Sequence, residues 1–320
     1  MAITASILVC ARDAGGRIGR FLESAFAQRF SPDRYEIVLV DNGSRDGTAD
    51  AAMAWARSRP LPELKVVCEP TRGKSRALNT GLASCRGRWV GFVDDDVALA
   101  PGWVAEMDRA LSMAGVDGAG GRILPAFSGR RPVWATPAVL SFTAVHDLGN
   151  DFLEYRPPLS SPVGAAWAAS KAAIDATGAF DPGLGVGSDG LPSGEEVDYH
   201  LRMAALGLNL VYQPAAVAWH LFDSSRLSRR GLLARALKQG GCLAHVLARH
   251  QGPGIRPALA LLWPATSGPA FRSRTGLPVA VARNVPGKNL FHGQLKAALF
   301  AGYVAGVAMN RNPDGRMSTS

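Results

Sequence analysis

The first hundred residues constrain the fold most, because apolar strand-like runs alternate there with helix-patterned segments. Residues 6–11 (SILVCA), 36–40 (EIVLV), 64–68 and 89–93 (WVGFV) are near-continuous apolar runs rather than alternating ones. Runs of that kind are expected of strands covered on both faces. Between them, residues 19–28, 48–57 and 75–83 read as helices, with Thr48 expected to cap the second. The alternation implies an α/β fold, a parallel sheet with right-handed crossovers flanked by helices. Open sheets of this type bind ligands beyond the carboxyl ends of their strands. Asp41 and the run Asp94, Asp95, Asp96 both fall at such ends.

After Pro101 the pattern changes. A helix is expected over residues 103–113 and a strand over 118–123, and residues 125–162, rich in Pro, Ser and aromatics, read as irregular. A strand over 163–169, a short helix over 171–177, a Gly- and Asp-rich loop over 180–194 and a helix over 195–206 follow. Residues 210–212 and 216–219 read as two closing strands. From Ser225 the chain is basic and helical, interrupted at Gly252, Pro253, Pro264, Pro269 and Pro286.

Charge is distributed unevenly along the 320 residues. The net charge of +9 comes from the last stretch: residues 223–320 hold 14 Lys or Arg against 2 Asp or Glu, and the rest holds 21 against 24. Two readings of the basic region stay open, an anionic partner such as a membrane face and a solvated helical surface. Nucleic acid is not expected, since no zinc-finger spacing, helix-turn-helix or aromatic RNA-binding motif accompanies the charge. The four cysteines form no CxxC pair, and Cys10 and Cys68 sit in apolar runs where a thiol acts as a small hydrophobe. With no signal-peptide pattern, this suggests a reduced, cytoplasmic chain. No uninterrupted apolar run reaches membrane-spanning length, and residues 297–309 are too short and glycine-punctuated, fit for an interface or a core.

Four clusters carry chemistry. In FVDDDVALAPGWV, three successive carboxylates after a buried strand repel one another and call for a compensating cation. Asp94 and Asp96 project to the same side if the segment is extended, the spacing a hard divalent cation needs. The alternative is a solvated acidic turn. Asp41, Asn42, Gly43 and Ser44 place a carboxylate and a close-approach glycine at a strand end, or else make a β-turn. Residues 72–79 (RGKSRALN) set Arg72, Lys74 and Arg76 around a glycine and a helix start, suited to an anion or to a basic helix surface. Glu195 and Glu196 open a helix, where an acid can accept a hydroxyl proton or simply favour the helix macrodipole. His220 reads as a metal ligand or a core histidine.

In this order the segments SILVCARDAGGRIGRFLES, EIVLVDNGSRDGT, RGKSRALNTGL, WVGFVDDDVALAPGWV, VGAAWAASKAAIDATGAFDPGLG and GEEVDYHLRMAALGLNLVYQPAAVAWH resemble the family 2 glycosyltransferases over residues 3–220. The resemblance implies a GT-A fold, a Rossmann-like and mostly parallel sheet flanked by helices. Residues 1–222 would be the glycosyltransferase domain, 1–100 its nucleotide-binding half and 101–222 its acceptor and catalytic half. Residues 223–320 would be a basic, mainly helical appendage. It further implies an inverting transfer of a hexosyl group from a nucleoside-diphosphate sugar to a hydroxyl acceptor of a polysaccharide, glycolipid or other glycoconjugate, with Mg²⁺ or Mn²⁺. Ala11 and Arg12 would line the nucleotide pocket, Asp41 with Asn42 would meet base or ribose, and Lys74 and Arg76 would lie near the diphosphate. Asp94 and Asp96 would be the DxD pair, with Asp96 and His220 on the metal and Asp95 beside the donor. Glu196 stands where relatives carry an Asp, so the base lies between Glu195 and Glu196. Gly164 is retained, but alanines follow it where relatives often carry a polar residue. The QxxRW signature of processive synthases is absent. The charge count of residues 223–320 suggests peripheral association with the inner face of a membrane. Two other readings are a sugar-phosphate nucleotidyltransferase, whose G-x-G-T-R-like loop is not matched by residues 14–17, and a non-catalytic nucleotide-sugar binder.

Overall fold

The computed structural model describes residues 2–157, 160–224, 227–251, 271–273, 278–279 and 290–310. In chain order the elements are β1 (Ala5–Ala11), α1 (Ile18–Phe26), β2 (Tyr35–Asp41), α2 (Thr48–Ala56), β3 (Glu63–Cys68), α3 (Lys74–Leu82), β4 (Trp89–Asp94) and β5 (Val97–Leu99). There follow α4 (Trp103–Leu111), β6 (Gly118–Phe127), α5 (Pro137–Leu140), β7 (Leu153–Tyr155), β8 (Ala166–Ser170), α6 (Lys171–Thr177), α7 (Glu195–Ala205) and β9 (Leu210–Phe222). The remaining described elements are α8 (Arg229–Gln251), β10 (Phe271–Ser273), β11 (Pro278–Val279) and α9 (Leu290–Asn310). The helix interruptions expected at Gly252, Pro253, Pro264, Pro269 and Pro286 lie outside the described residues.

The expected α/β architecture is present. One mixed sheet runs β11-β10-β7-β9-β6-β8-β4-β1-β2-β3, with β5 added on β9. The block β3-β2-β1-β4 is parallel, as the alternation requires, and β8 then enters antiparallel between β4 and β6. Two-sided burial explains the continuous apolar runs. In β1, Ile7 and Val9 join the core with Phe21, Trp103 and Val104, whereas Leu8 joins the opposite core with Ala77, Phe92 and Trp167. Alternate residues of one strand serve two cores, and the buried polar Ser6 of β1 is accommodated because its hydroxyl donates to the buried Glu36 of β2 at 2.6 Å. Strand β3, at the sheet edge, is less buried, and Cys68 is exposed there rather than packed as its run suggested.

Three expectations are revised. Thr48 is the first residue of α2 rather than its cap; the cap is Gly47, at φ 77°. The Thr48 hydroxyl instead accepts from the Ala14 amide at 2.8 Å and donates to Asp46, tying the β1 loop to the β2 loop. The two closing strands are one strand, β9, because the sheet absorbs Pro214 in a bulge. Its register against β6 jumps from Gly121–Gln213 to Arg122–Val217. A proline has no N–H for the ladder, and a bulge is where a strand tolerates one. Residues 125–162 are not wholly irregular: β6 reaches Phe127, and α5 and β7 lie within the stretch.

The basic C-terminal helices pack on the body and on each other. Leu232 and Ala236 of α8 are buried with Val139 of α5 and with Phe291 and Leu295 of α9. Farther along, Val246 and Leu247 meet Leu184, Leu201, Tyr303 and Val307. Residues 297–309 thus sit inside α9, against α8. The two helices approach so closely that a Cβ on Gly302 would lie 1.9 Å from the Leu237 carbonyl oxygen, and one on Gly240 2.0 Å from that of Leu299. A hydrogen bond and an ion pair hold the far end of α8 to the body: His250 Nε2 with Asp198 Oδ1 at 2.9 Å, and Arg249 Nη1 to Asp181 Oδ2 at 2.6 Å.

Candidate functional site

The carboxyl ends of β1, β2 and β4 meet at one edge of the sheet, in register Ala11–Asp41 and Cys10–Asp94. The loops leaving these strands are laced together. The Asp13 amide donates to Ser44 Oγ at 3.0 Å, and the Gly15 amide to Asp46 Oδ2 at 2.8 Å. Arg12 donates through Nη1 to the Asn42 carbonyl at 2.9 Å, and Ala11 is buried with its carbonyl taken by the Asn42 amide. Asn42 is buried and uses its side chain on the next loop: Nδ2 donates to the carbonyls of Glu69 and Thr71, and Oδ1 accepts from the Gly73 amide at 2.9 Å. That bracket fixes the loop that begins α3 and places Lys74. Asp41 accepts the Ser44 amide on Oδ1 at 3.1 Å and leaves Oδ2 without a protein partner among the described residues.

Each carboxylate of the acidic run faces a different side chain. Asp94 pairs with Lys74 at 2.8 Å, Asp95 with Arg17 at 2.7 Å, and Asp96 faces His220 Nε2 at 3.6 Å. The last pair exists because β5 runs antiparallel to β9 with Val97 opposite His220. Asp94 and Asp96 do not share a side of an extended segment, since residues 95 and 96 form a turn. Asp94 lines a cleft of about 660 Å³ and Asp96 another of about 550 Å³. They remain close enough that the Asp94 charge helps to raise Asp96, whose carboxyl is pushed up chiefly by burial and held back by His220. Burial likewise raises Asp95 to about 6, against the pull of Arg17.

Lys74 ties this turn to the N-terminus of α7. Its Nζ lies 3.4 Å from Glu195 Oε1 as well as 2.8 Å from Asp94. Burial would lower the Lys74 ammonium, but Asp94, Glu195 and Glu196 outweigh it and hold it well above its ordinary value. Glu195 is buried, and its Oε2 has no hydrogen-bond partner among the described residues. A buried carboxylate oxygen left unpaired is costly and is a mark of working sites. Glu196 is half-buried and lines the 660 Å³ cleft. Gly164 makes room for it: a Cβ there would come 3.1 Å from Glu196 Cδ. Burial above all, then the Glu195 charge, raises Glu196 to about 8, with Lys74 opposing. The apolar floor behind it, where Phe92 stacks on Trp167 at 4.4 Å, supplies that burial.

Of the residues singled out in the sequence, Asp94, Lys74, Glu195 and Glu196 share one cleft, and Asp96 and His220 stand together beside it. Arg76 does not join them. Its side chain lies against Gly73 and its charge acts on Glu69. Arg17 belongs to the site and was not foreseen; an arginine opening a helix after a strand, at GGR, was the available signal. Arg235 and Lys238, which line the cleft from α8, were visible only as part of a basic region.

Residues 6–175 match the family described as Glycosyl transferase family 2. A pre-mycofactocin glycosyltransferase of Mycobacterium tuberculosis is 29% identical over 217 residues, 67% of this chain and 43% of that protein. Glycosyltransferase AglE of Haloferax volcanii is 28% identical over 37% of this chain and 38% of its own. The match therefore covers less than half the length of each of these curated relatives. Among solved structures, a mannosyltransferase from Pyrobaculum calidifontis in complex with GDP-Man and Mn²⁺ superposes with a TM-score of 0.63 at 19% identity, covering 96% of this chain and 88% of that one. TarS of S. aureus, solved with UDP-GlcNAc, gives 0.52 at 16% identity over 98% and 93%. The fold is that of the GT-A glycosyltransferases, and the chain belongs to glycosyl transferase family 2.

Proposed function

We propose that this chain moves a sugar from a nucleoside-diphosphate donor to a hydroxyl acceptor, with inversion at the anomeric carbon and the help of a divalent metal. The observation that carries the reading is Glu196: a carboxyl held at about 8, on the wall of a roomy cleft, beside the linked set Lys74, Asp94 and Glu195. A group poised near neutral pH suits proton transfer from a hydroxyl. Two structural neighbours are solved with GDP-Man and with UDP-GlcNAc, which supports a nucleoside-diphosphate sugar of either base for this chain.

Mg²⁺ or Mn²⁺ fits the residues present. Asp96 and His220 offer one carboxylate oxygen and one imidazole nitrogen, and the Asp96 side chain is 40% exposed, open toward a ligand. Among the described residues no three His, Cys, Asp or Glu side chains converge on one point. That suits a cation held by few protein groups and completed by substrate phosphates. When bound, the metal offsets the negative charge that builds on the departing diphosphate.

The protein's own groups do the rest. Lys74 and Arg17 hold positive charge at the strand ends where the diphosphate would lie. Asp41, whose Oδ2 has no partner among the described residues, can accept from base or ribose, while Arg12 and Asn42 hold the surrounding loops. Glu196, once deprotonated, takes the acceptor hydroxyl proton. The acceptor oxygen bonds to the anomeric carbon as that carbon's bond to the diphosphate oxygen breaks. Glu195, buried against Lys74, keeps the cation in place.

The test is Glu196→Gln, read by donor binding and by slow donor hydrolysis with water standing in for the acceptor. Retained binding with hydrolysis reduced by about 10²-fold or more supports Glu196 as the base; hydrolysis at the wild-type rate excludes it. The excess of 14 cations over 2 acids in residues 223–320 further supports peripheral attachment to an anionic membrane surface on the cytoplasmic side. No described helix is long and apolar enough to cross a membrane. Salt-sensitive co-sedimentation of the full chain with anionic but not neutral vesicles is expected, and equal recovery with both would exclude it.

A further inference from the structure

The 660 Å³ cleft has two chemically opposed walls. One presents Asp94, Glu195 and Glu196 around Lys74. The other is a stripe of α8: Gly231, Ala234, Arg235, Lys238 and Gln239 all line the cleft, at spacings that put them on one helix face. Gly231 and Ala234 keep that face low, and Arg235 and Lys238 stand exposed on it.

Of the arginines and lysines on α8, Arg235 and Lys238 are the two that line this cleft; Arg230 is exposed but does not line it. Arg229 lies 5.7 Å over the Trp134 ring and 5.4 Å over that of Phe291. Arg249 is paired with Asp181, and His250 with Asp198. Arg235 and Lys238 have no ion-pair partner among the described residues. Nor is their wall a loose surface. The buried contacts of Leu232, Ala236, Val246 and Leu247 hold the helix, and its Asp198 tether reaches α7, the helix that begins with Glu195 and Glu196.

Uncompensated positive charge inside a cleft favours an anionic occupant. The donor diphosphate has its own cations, Lys74 and Arg17, at the strand ends. A neutral acceptor would leave Arg235 and Lys238 with nothing to bind. A planar guanidinium fork beside an ammonium one helical turn away suits a phosphoryl group, which has several anionic oxygens to share.

We infer that Arg235 and Lys238 bind a phosphoryl group of the acceptor, which therefore reaches Glu196 with a hydroxyl while its phosphate rests on α8. The inference deepens the transferase reading and depends on it. Two sources carry the chemistry, a lipid phosphate headgroup presented at a membrane and a water-soluble phosphorylated polyol.

The experiment compares the full-length protein with Arg235→Ala/Lys238→Ala, using three probes: glycerol phosphate, glycerol, and phosphatidylglycerol in phosphatidylcholine vesicles. Binding of UDP and GDP with Mn²⁺ is measured alongside. The expected result is binding of glycerol phosphate or of the vesicles by the wild type, none of glycerol, and a loss of about tenfold in the double variant. Nucleotide binding should stay at the wild-type level, and circular dichroism should show the same fold. Preference for glycerol phosphate assigns a soluble acceptor, and preference for vesicles a lipid one. Equal binding of both phosphoryl probes by wild type and variant would overturn the inference. So would a wild type that binds neither probe, or a variant that loses nucleotide binding, since the cations would then serve the donor. Failure of the transferase reading itself looks different: the wild type would bind no nucleotide with Mn²⁺.

Discussion

Burial and the charge of Glu195 hold Glu196 at about 8, so at pH 7 most of it carries its proton before substrate arrives. A base must first lose that proton. We therefore expect kcat/KM for donor turnover to rise with pH through about 8 and the rise to vanish in Glu196→Gln. A profile already flat from pH 6 upward would contradict the assignment. The same shift has a stability consequence. Between the ordinary carboxylate value of 4.5 and about 8 the folded protein binds more protons at this group than the unfolded chain does, so the group costs stability as pH rises through that window. Glu196→Gln should be at least as stable as wild type at pH 8, by thermal unfolding, which separates lost chemistry from lost folding. Lys74→Met acts in the opposite sense, leaving Glu195 buried with no cation. We expect destabilisation of about 3 kcal/mol and an alkaline limb moved to still higher pH, since a cation opposing Glu196 is gone. The residue types at these positions were legible in the sequence as DDD, RGK and EE. Their partnerships were not, because which carboxylate meets which cation depends on the turn at residues 95 and 96 and on β9 passing beside β5.

The β1 to β4 elements follow from their apolar runs, where period and burial agree. The sequence pattern is misleading where one residue interrupts a longer element. Pro214 breaks the pattern of β9 but not its pairing, since a bulge absorbs it. The loops between strands are held by side chains rather than by propensity, and Asn42 does most for the loop before α3. Asn42→Ala should leave the carbonyls of Glu69 and Thr71 and the Gly73 amide unpaired. A loss of about 1–3 kcal/mol and weaker nucleotide binding are expected together, by denaturant unfolding and titration. Unchanged nucleotide affinity would mean that the loop does not set Lys74. Between α8 and α9 the glycines make the contact. Gly302→Ala forces a methyl toward the Leu237 carbonyl and should cost about 1–3 kcal/mol in thermal unfolding, while an exposed Val304→Ala should cost little.

Across the whole molecule, the sheet gathers motifs that are far apart in sequence. Residues 41, 74, 94 and 96 come to one edge because parallel strands all end there, and α7 brings Glu195 and Glu196 to the same place. That convergence could be foreseen from the βα alternation. The use of the C-terminal region could not. Its charge was evident from composition, but the face that α8 turns to the cleft depends on packing against α5, α7 and α9. The central claim, a nucleoside-diphosphate sugar site with a metal, is tested most directly by a panel of nucleotide-sugars assayed for binding and slow hydrolysis with and without Mn²⁺. The account predicts that at least one nucleotide-sugar binds and turns over only with the metal, and that Asp96→Asn abolishes the metal dependence. Absence of binding to every member of the panel, or turnover indifferent to Mn²⁺ and to Asp96, would contradict it.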